Sequence, residues 1–216
     1  MRKTAYYLSL LIIILSFAFA IYFYPQMPES IASHWNSQGA TNGSAGSWSL
    51  FIIPAVLAIC FIFLIFIPKI DPMKENIKKF KDSYDDFILI FNLFMFYIFS
   101  LTIIWNLGFS FNMTIGMMPG LSVLFYFVGI LVTKTKRNYT IGVRTPWALE
   151  NDKIWEKTNK MSGVFFKGLG LSCLFFMFFP EYAFVLFFSF LVIGIFYIFL
   201  YSYFEYKKEK KLKKHI

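Results

Sequence analysis

The chain alternates long apolar runs with short polar segments. Because a helix rises 1.5 Å per residue, about 20 mostly apolar residues are needed to cross a hydrocarbon core of roughly 30 Å. Six runs approach that length, and they predict an all-α membrane protein with six transmembrane helices. The predicted spans are residues 5–24, 50–67, 87–107, 117–133, 162–179 and 182–204.

The composition supports a multi-pass protein of the cell membrane. Hydrophobic residues make up 58% of the chain and charged residues 15%, whereas soluble domains carry about 45–50% apolar and roughly 25% charged residues. The 30 Phe and 13 Tyr exceed what the core of a soluble domain of 216 residues can bury. The first run resembles a signal peptide, but it continues through Tyr24, which favours an uncleaved helix.

The distribution of Lys and Arg predicts the orientation, because basic residues near helix ends stay in the cytoplasm. Basic residues occur at the N-terminus and in segments 69–81, 134–160 and 207–214, and the three intervening loops have none. Both termini are therefore predicted to be cytoplasmic. The net charge of +9 then belongs to the inner face and favours anionic lipids as partners, with no direct nucleic-acid binding. The basic tail, residues 205–216, is interpreted as a lipid anchor, with docking of an acidic protein as the alternative.

The outer loop, residues 25–49, is rich in turn formers and nearly uncharged. Its pattern predicts a short strand at residues 31–35 and a tight turn at Asn42–Gly43, which together would form a small cap. A zinc site needs three or four ligands, and beside His34 the loop offers only Glu29, so no metal is expected. His34 and Trp35 either pack the loop against helix ends or form a surface that faces a peptide.

The first inner loop, residues 68–84, contains Asp71 between two prolines. Apolar residues at helical spacing follow it and predict an amphipathic helix in the membrane interface. These residues are Ile77, Phe80 and Tyr84. Asp85 and Asp86 are expected to begin the third span, since carboxylates favour a helix start.

The second inner loop, residues 134–161, predicts two helix starts. Thr145 precedes Pro146 and is expected to cap a short helix. Asn151 or Asp152 is expected to begin a second helix that lies flat in the headgroup layer. Its apolar face holds Ile154, Trp155, Thr158 and Met161, and its basic face holds Lys153, Lys157 and Lys160.

Arg144 is the basic residue of this loop with the most specific potential role. Its planar fork binds a carboxylate or a phosphate at two points, so we expect it to hold the loop to Asp71, to Glu150 or to a lipid phosphate. The alternative is an ordinary basic residue that only sets the orientation.

The sequence contains no motif that indicates a catalytic site. The chain has no GxSxG, no HExxH and no paired carboxylates within the spans, so no catalytic residue, metal or cofactor is assigned, and the protein is predicted not to be an enzyme. A small exporter of peptides or amphiphiles is the alternative function. It is disfavoured because no acidic residue lies at mid-membrane and no inverted repeat with broken helices is evident.

Two segments resemble a known family. The inner loop NYTIGVRTPWALENDKIWEKTN resembles the signature of the SdpI family of immunity proteins, although Asn159 stands where members often have His. The outer PESIASHWNSQG and the inner IPKIDPMKEN resemble a domain of unknown function that accompanies this signature. The positions that match are Pro28, His34, Asn36, Gly39, Ile141, Gly142, Arg144, Thr145, Pro146, Trp147, Trp155, Lys157 and Thr158.

The resemblance implies protection of the cell from a secreted, membrane-active toxin peptide. It also implies a receptor that can hold a transcriptional repressor at the membrane. The expected organisation is an N-terminal two-helix region, residues 1–84, followed by a four-helix region, residues 85–216. The outer loop would meet the toxin, and the repressor would be a cytoplasmic partner.

Overall fold

The apolar runs fold as long helices joined by short segments in the computed structural model, which describes residues 1–212. A two-stranded sheet and two 3-10 helices, Tyr24–Gln26 and Ser47–Phe51, complete the secondary structure. The helices are α1 (Lys3–Phe23), α2 (Ile52–Ile70), α3 (Lys74–Lys78), α4 (Lys81–Asn106), α5 (Met113–Lys134), α6 (Pro146–Glu150), α7 (Asp152–Phe176) and α8 (Ala183–Leu212). The strands are β1 (Ser30–Trp35) and β2 (Thr41–Gly46).

Five helical segments within residues 1–212 are long and apolar enough to cross a membrane. They are 3–26, 47–70, 81–106, 113–134 and 183–212. Helix α7 is absent from this set because its first third is charged, and residues 161–176 alone extend only about 24 Å at 1.5 Å per residue. The class of all-α membrane protein is confirmed, and the count of six spans stays a prediction.

Small residues allow two close helix pairs. The buried face of α1 includes Ala5, Ser9, Ser16 and Ala20, and α1 packs chiefly on α4. Helix α5 packs most extensively on α7. A Cβ atom at Gly163 of α7 would lie 2.7 Å from a carbonyl oxygen of α5, so a larger residue would separate the two helices.

The outer hairpin, residues 30–46, pairs β1 with β2 in antiparallel register, with Ile31 opposite Ala45 and Trp35 opposite Thr41. The strand predicted at residues 31–35 is therefore confirmed. The tight turn predicted at Asn42–Gly43 is wrong, because both residues lie inside β2 and the chain reverses at 36–40.

The two inner segments also differ from their predictions, because protein covers their apolar faces. Ile77, Phe80 and Tyr84 are buried in one cluster with Phe61 of α2 and Leu131 of α5. The three residues do not share one helix, since Ile77 lies in α3, Tyr84 lies in α4 and Phe80 lies between the two helices.

The helix boundaries also differ from the predicted ones. Helix α4 begins at Lys81, so Asp85 lies inside the helix and does not start it. The predicted interfacial helix is the first part of α7, and its buried face, Ile154, Trp155 and Thr158, contacts protein.

Candidate functional site

The segment between α5 and α7 is organised by a buried amide. Asn138 is fully buried, and its Oδ1 accepts hydrogen bonds from the backbone N–H groups of Thr140 (2.9 Å) and Ile141 (2.6 Å). Its Nδ2 donates to the carbonyl oxygens of Lys136 (2.7 Å) and Ile141 (2.8 Å). Asn138 therefore fixes the turn that begins the loop, a role that asparagine often takes in turns.

Gly142 lies where the loop meets α7. Its φ of +108° belongs to the left-handed region, and an added Cβ atom would lie 2.8 Å from Asn159 Oδ1. Asn159 Oδ1 accepts from the Val143 N–H (2.7 Å), and Asn159 Nδ2 donates to the Val143 carbonyl (3.3 Å). The side-chain amide of Asn159 thus bonds both backbone groups of Val143, as the backbone of an adjacent β-strand does. Trp155, 1% exposed, donates from Nε1 to the carbonyl of Thr135 (3.1 Å).

Asp71 connects the first inner loop to the second. It is 2% exposed, and its Oδ2 accepts from the Tyr139 N–H (2.9 Å) and the Thr140 hydroxyl (2.7 Å). Its Oδ1 accepts from the Met73 N–H (2.6 Å). Asn76 adds a second link by donating from Nδ2 to the Arg137 carbonyl (2.8 Å). The carboxylate therefore holds the two halves of the chain together.

The expected partner of Arg144 is not observed. Arg144 is exposed, its Nη1 donates to the Tyr139 carbonyl (2.7 Å), and within residues 1–212 it forms no ion pair with Asp71 or Glu150. The prediction of a carboxylate clamp within the chain is therefore wrong for Arg144. The remaining nitrogens of this exposed guanidinium form no hydrogen bond within residues 1–212, so they can bind a phosphate or a carboxylate of another molecule.

Arg137 takes the clamping role that the sequence suggested for Arg144. Its Nη1 donates to the carbonyls of Leu149 and Glu150, both at 3.1 Å, and its Nε lies 2.9 Å from Asp152 Oδ1. These contacts tie the start of the loop to the end of α6 and the start of α7. Both arginines occur in the same basic loop, so spacing alone did not distinguish them.

Thr145, Pro146 and Trp147 join the loop to α8. The prediction that Thr145 caps a helix starting at Pro146 is confirmed, since Thr145 Oγ1 accepts from the Ala148 N–H at 3.1 Å. The same hydroxyl shares a hydrogen bond with Ser202 of α8. The Trp147 ring packs with its centroid 4.8 Å from Phe199 and 5.1 Å from Tyr203. The second predicted start is also confirmed, with the cap at Asn151.

The basic face of α7 meets acidic residues near the end of α8. Lys157 Nζ lies 2.6 Å from Glu205 Oε2, and Lys153 Nζ lies 2.9 Å from Glu209 Oε2. The hydrogen bond to the Glu205 carboxylate raises the pKa of Lys157 above its ordinary value. Lys208 also bonds Glu205, at 2.9 Å. Lys157 is therefore engaged within the chain, whereas Lys160 is exposed.

The outer hairpin is stabilised by its own polar residues. Asn36 Oδ1 accepts from the N–H groups of Gln38 and Ala40, both at 3.0 Å, and Gly39 takes a φ of +75° to complete the turn. His34 is exposed, and its Nδ1 lies 2.6 Å from Asn42 Oδ1.

The hairpin is also bound to the long helices. Asn106 of α4 bonds both backbone groups of Ala32, accepting from the N–H (2.7 Å) and donating to the carbonyl (3.1 Å). The carbonyl of Gly39 accepts from the Met113 N–H at the start of α5 (3.1 Å). Trp35 packs edge-on against Trp105, with centroids 5.8 Å apart. The hairpin is therefore a fixed cap.

An open cavity of about 440 Å³ lies beside the hairpin turn. The turn forms one wall of the cavity. Trp105 of α4 and the connection from α4 to α5, which includes Phe111, form the other wall. The four predicted outer residues, His34, Trp35, Asn36 and Gly39, thus lie in and next to the turn that borders this cavity.

The predicted residues form two groups and not one site. The contacts of Asp71 with Thr140 and of Lys157 with Glu205 lie at the end of the helices that carries the basic segments, which we call the inner end. The hairpin contacts with Asn106 and Met113 lie at the opposite, outer end. Within residues 1–212, no three His, Cys, Asp or Glu side chains lie together in a way that would hold a metal ion.

Comparison with known proteins agrees with the resemblance found in the sequence. Residues 134–202 match the SdpI/YfhL protein family, and residues 11–58 match a domain of unknown function, DUF1648. The chain is 26% identical over 202 residues to "Immunity protein SdpI" of Bacillus subtilis (strain 168), covering 93% of this chain and 95% of that protein. No solved structure matches the chain. The resemblance is therefore confirmed, as is the location in the cell membrane as a multi-pass protein.

Proposed function

Because residues 134–202 carry the SdpI/YfhL family region, we propose that this chain is an immunity protein that protects its cell from a secreted, membrane-active toxin peptide. The observation that carries the proposal is the similarity to "Immunity protein SdpI", which extends over 93% of the chain and so includes both ends of the helices. The proposal places the protein in the class of binding proteins and not of enzymes.

The proposed topology has six spans, with α7 as the fifth and with both termini in the cytoplasm. Three contacts support it by bringing the basic segments to one end of the molecule. Arg2 pairs with Asp86, Asp71 bonds Thr140, and Lys157 pairs with Glu205. Anionic headgroups would then face the basic end. The tail beyond Leu212 lies outside the described residues.

The toxin is proposed to contact the outer hairpin. The hairpin is almost uncharged, and it is fixed to the start of α5, so its surface is already formed before a peptide arrives. Trp35, Trp105 and the exposed ring of Phe109 (70% exposed) give the outer end aromatic contacts of the kind that dominate binding surfaces.

The test is protection of a toxin-sensitive strain. Cells that express the chain should survive co-culture with a producer of the secreted peptide, and cells with the empty vector should not. In the same assay, His34→Ala combined with Trp35→Ala should lower survival at least about tenfold at equal membrane abundance, since loss of one aromatic contact typically costs 1–2 kcal/mol or more.

The matched control is Trp48→Ala, which removes an exposed indole (63% exposed) from the outer end but outside the hairpin turn. It should leave survival unchanged. Equal losses of survival in both variants would show that any aromatic residue at the membrane interface supports protection. Full survival of cells with the double variant would show that the hairpin does not take part in protection.

The inner end is proposed to bind a cytoplasmic transcriptional repressor when toxin is present. Its support is the exposed side of the second inner loop, where Arg144 forms a single hydrogen bond within residues 1–212 and Lys160 is exposed. Rigid attachment of this loop through Asp71 and Asn159 gives it a defined surface for a partner.

A further inference from the structure

A second cavity, of about 510 Å³, opens at the inner end between α2, α3 and α4. We call it the α2–α4 cavity. Leu64 and Ile65 of α2, Ile77 of α3 and Ile88 of α4 form its apolar walls. Its volume falls in the range of pockets that hold small molecules, about 300–1,000 Å³.

The α2–α4 cavity is divided by depth into an apolar and a basic part. Four lysines line it, Lys69, Lys74, Lys78 and Lys81. Lys81 and Ile88 belong to the same helix and differ by seven positions, which places the apolar wall on the order of 10 Å deeper along α4 than the lysines. The cavity is therefore amphipathic in the direction expected for a lipid at the inner surface.

Carboxylates offset two of these four lysines. Lys78 pairs with Glu75 at 2.7 Å, and that pair is exposed on the rim. Lys81 lies 3.5 Å from Asp85, whose side chain is 3% exposed and also accepts from the Arg2 N–H at 2.6 Å. Asp85 also lines the cavity, but its carboxylate is engaged by Lys81 and by the Arg2 N–H, so it offsets the charge of Lys81 and not that of the other lysines.

Lys69 and Lys74 form no ion pair with a carboxylate of residues 1–212. The ammonium of Lys69 lies 4.7 Å from the centre of the Phe66 ring, and Lys74 forms no ion pair within the described part of the chain. The rim therefore has a surplus of positive charge that attracts an anion.

We propose that the α2–α4 cavity binds one anionic phospholipid of the inner leaflet, with an acyl chain against the apolar wall and the phosphate at the lysines. Basic pockets between membrane helices on the cytoplasmic side bind anionic headgroups by this combination. A soluble phosphate would leave the apolar wall without a partner. The inference does not depend on the immunity function, because it rests on this cavity alone.

The test measures lipid retention by the purified full-length chain in detergent, using native mass spectrometry. Phosphatidylglycerol and phosphatidylcholine with the same acyl chains are offered separately. The protein should retain one phosphatidylglycerol in preference to phosphatidylcholine. The triple variant Lys69→Gln, Lys74→Gln and Lys78→Gln should weaken that retention about tenfold or more, since each lysine near an anionic headgroup contributes to binding.

A matched triple variant keeps the cavity and removes the same charge elsewhere on the inner end. Lys160→Gln, Lys207→Gln and Lys211→Gln change three exposed residues of α7 and α8 that do not line the cavity. They should leave phosphatidylglycerol retention within about twofold, because screening confines each charge to roughly 10 Å. An equal loss in both triple variants would overturn the proposal, since it would show attraction by the whole basic surface.

A third pair of variants tests the acyl chain without changing any charge. Ile65→Trp fills the apolar wall and should abolish retention, whereas Ile62→Trp lies on the exposed side of α2 (56% exposed) and should have no effect. Full retention by Ile65→Trp, or displacement of the lipid by inorganic phosphate alone, would contradict the proposal.

Discussion

Asp71→Ala should weaken the contact between the two inner loops, because it removes the acceptor of three hydrogen bonds at a position that is 2% exposed. Each buried group left without a partner costs about 1–3 kcal/mol. Two of the donors retain other options. Met73 is partly exposed, so its N–H can bond water, and the Thr140 hydroxyl is 3.3 Å from Asn138 Oδ1. The Tyr139 N–H loses the one acceptor that it has within residues 1–212. We therefore expect a total loss of about 2–4 kcal/mol.

The native cysteines provide the assay. Cys60 of α2 is partly buried and Cys173 of α7 is buried, so a thiol-reactive dye reports unfolding on heating. A loss of about 2–4 kcal/mol should lower Tm by roughly 10 °C in a chain of this size. Asp82→Ala is the matched control, because it removes the same charge from an exposed position on α4. It should lower the free energy of unfolding by no more than about 1 kcal/mol, the contribution of a carboxylate in the first turn of a helix. An Asp71→Ala Tm equal to that of Asp82→Ala would refute the assignment of Asp71 as the link between the loops.

Two further predictions concern the second inner loop. Gly142→Ala places a side chain at a φ of +108° and 2.8 Å from Asn159 Oδ1, so the same melting assay should show a loss of about 1–3 kcal/mol. Gly168→Ala, with no atom within 4 Å of the added Cβ, should be neutral or stabilising, and equal melting of both would show that the loop relaxes. Arg144→Lys can keep one bond to the Tyr139 carbonyl but loses the planar fork, so we expect normal Tm with reduced protection in the toxin assay. Full protection would show that positive charge alone suffices at that position.

The sequence predicted the helices well because their signal is local. Apolar length indicates a span without reference to any other part of the chain, and Thr145 followed by Pro146 indicates a helix start from two adjacent residues. The surroundings of each amphipathic face were less predictable. Ile77 and Trp155 have the spacing of a helix at a membrane surface, but both are buried against protein. Periodicity indicates that a face is covered, and it does not indicate whether lipid or protein covers it.

The polar contacts at both ends depend on which backbone segments lie next to each other. The sequence pattern does not contain this information. Two asparagines show this dependence most clearly. Asn106 bonds both backbone groups of Ala32, and Asn159 bonds both backbone groups of Val143. A side-chain amide offers one acceptor and two donors without charge, so it can satisfy backbone groups near the membrane at lower desolvation cost than Asp or Lys. The sequence pattern predicted that a charged residue, Arg144, fixes the second inner loop. In the structure, neutral amides hold much of that loop in place. Residues that bind a partner are then best sought among the exposed side chains that this amide framework positions, Arg144 at the inner end and His34 at the outer end.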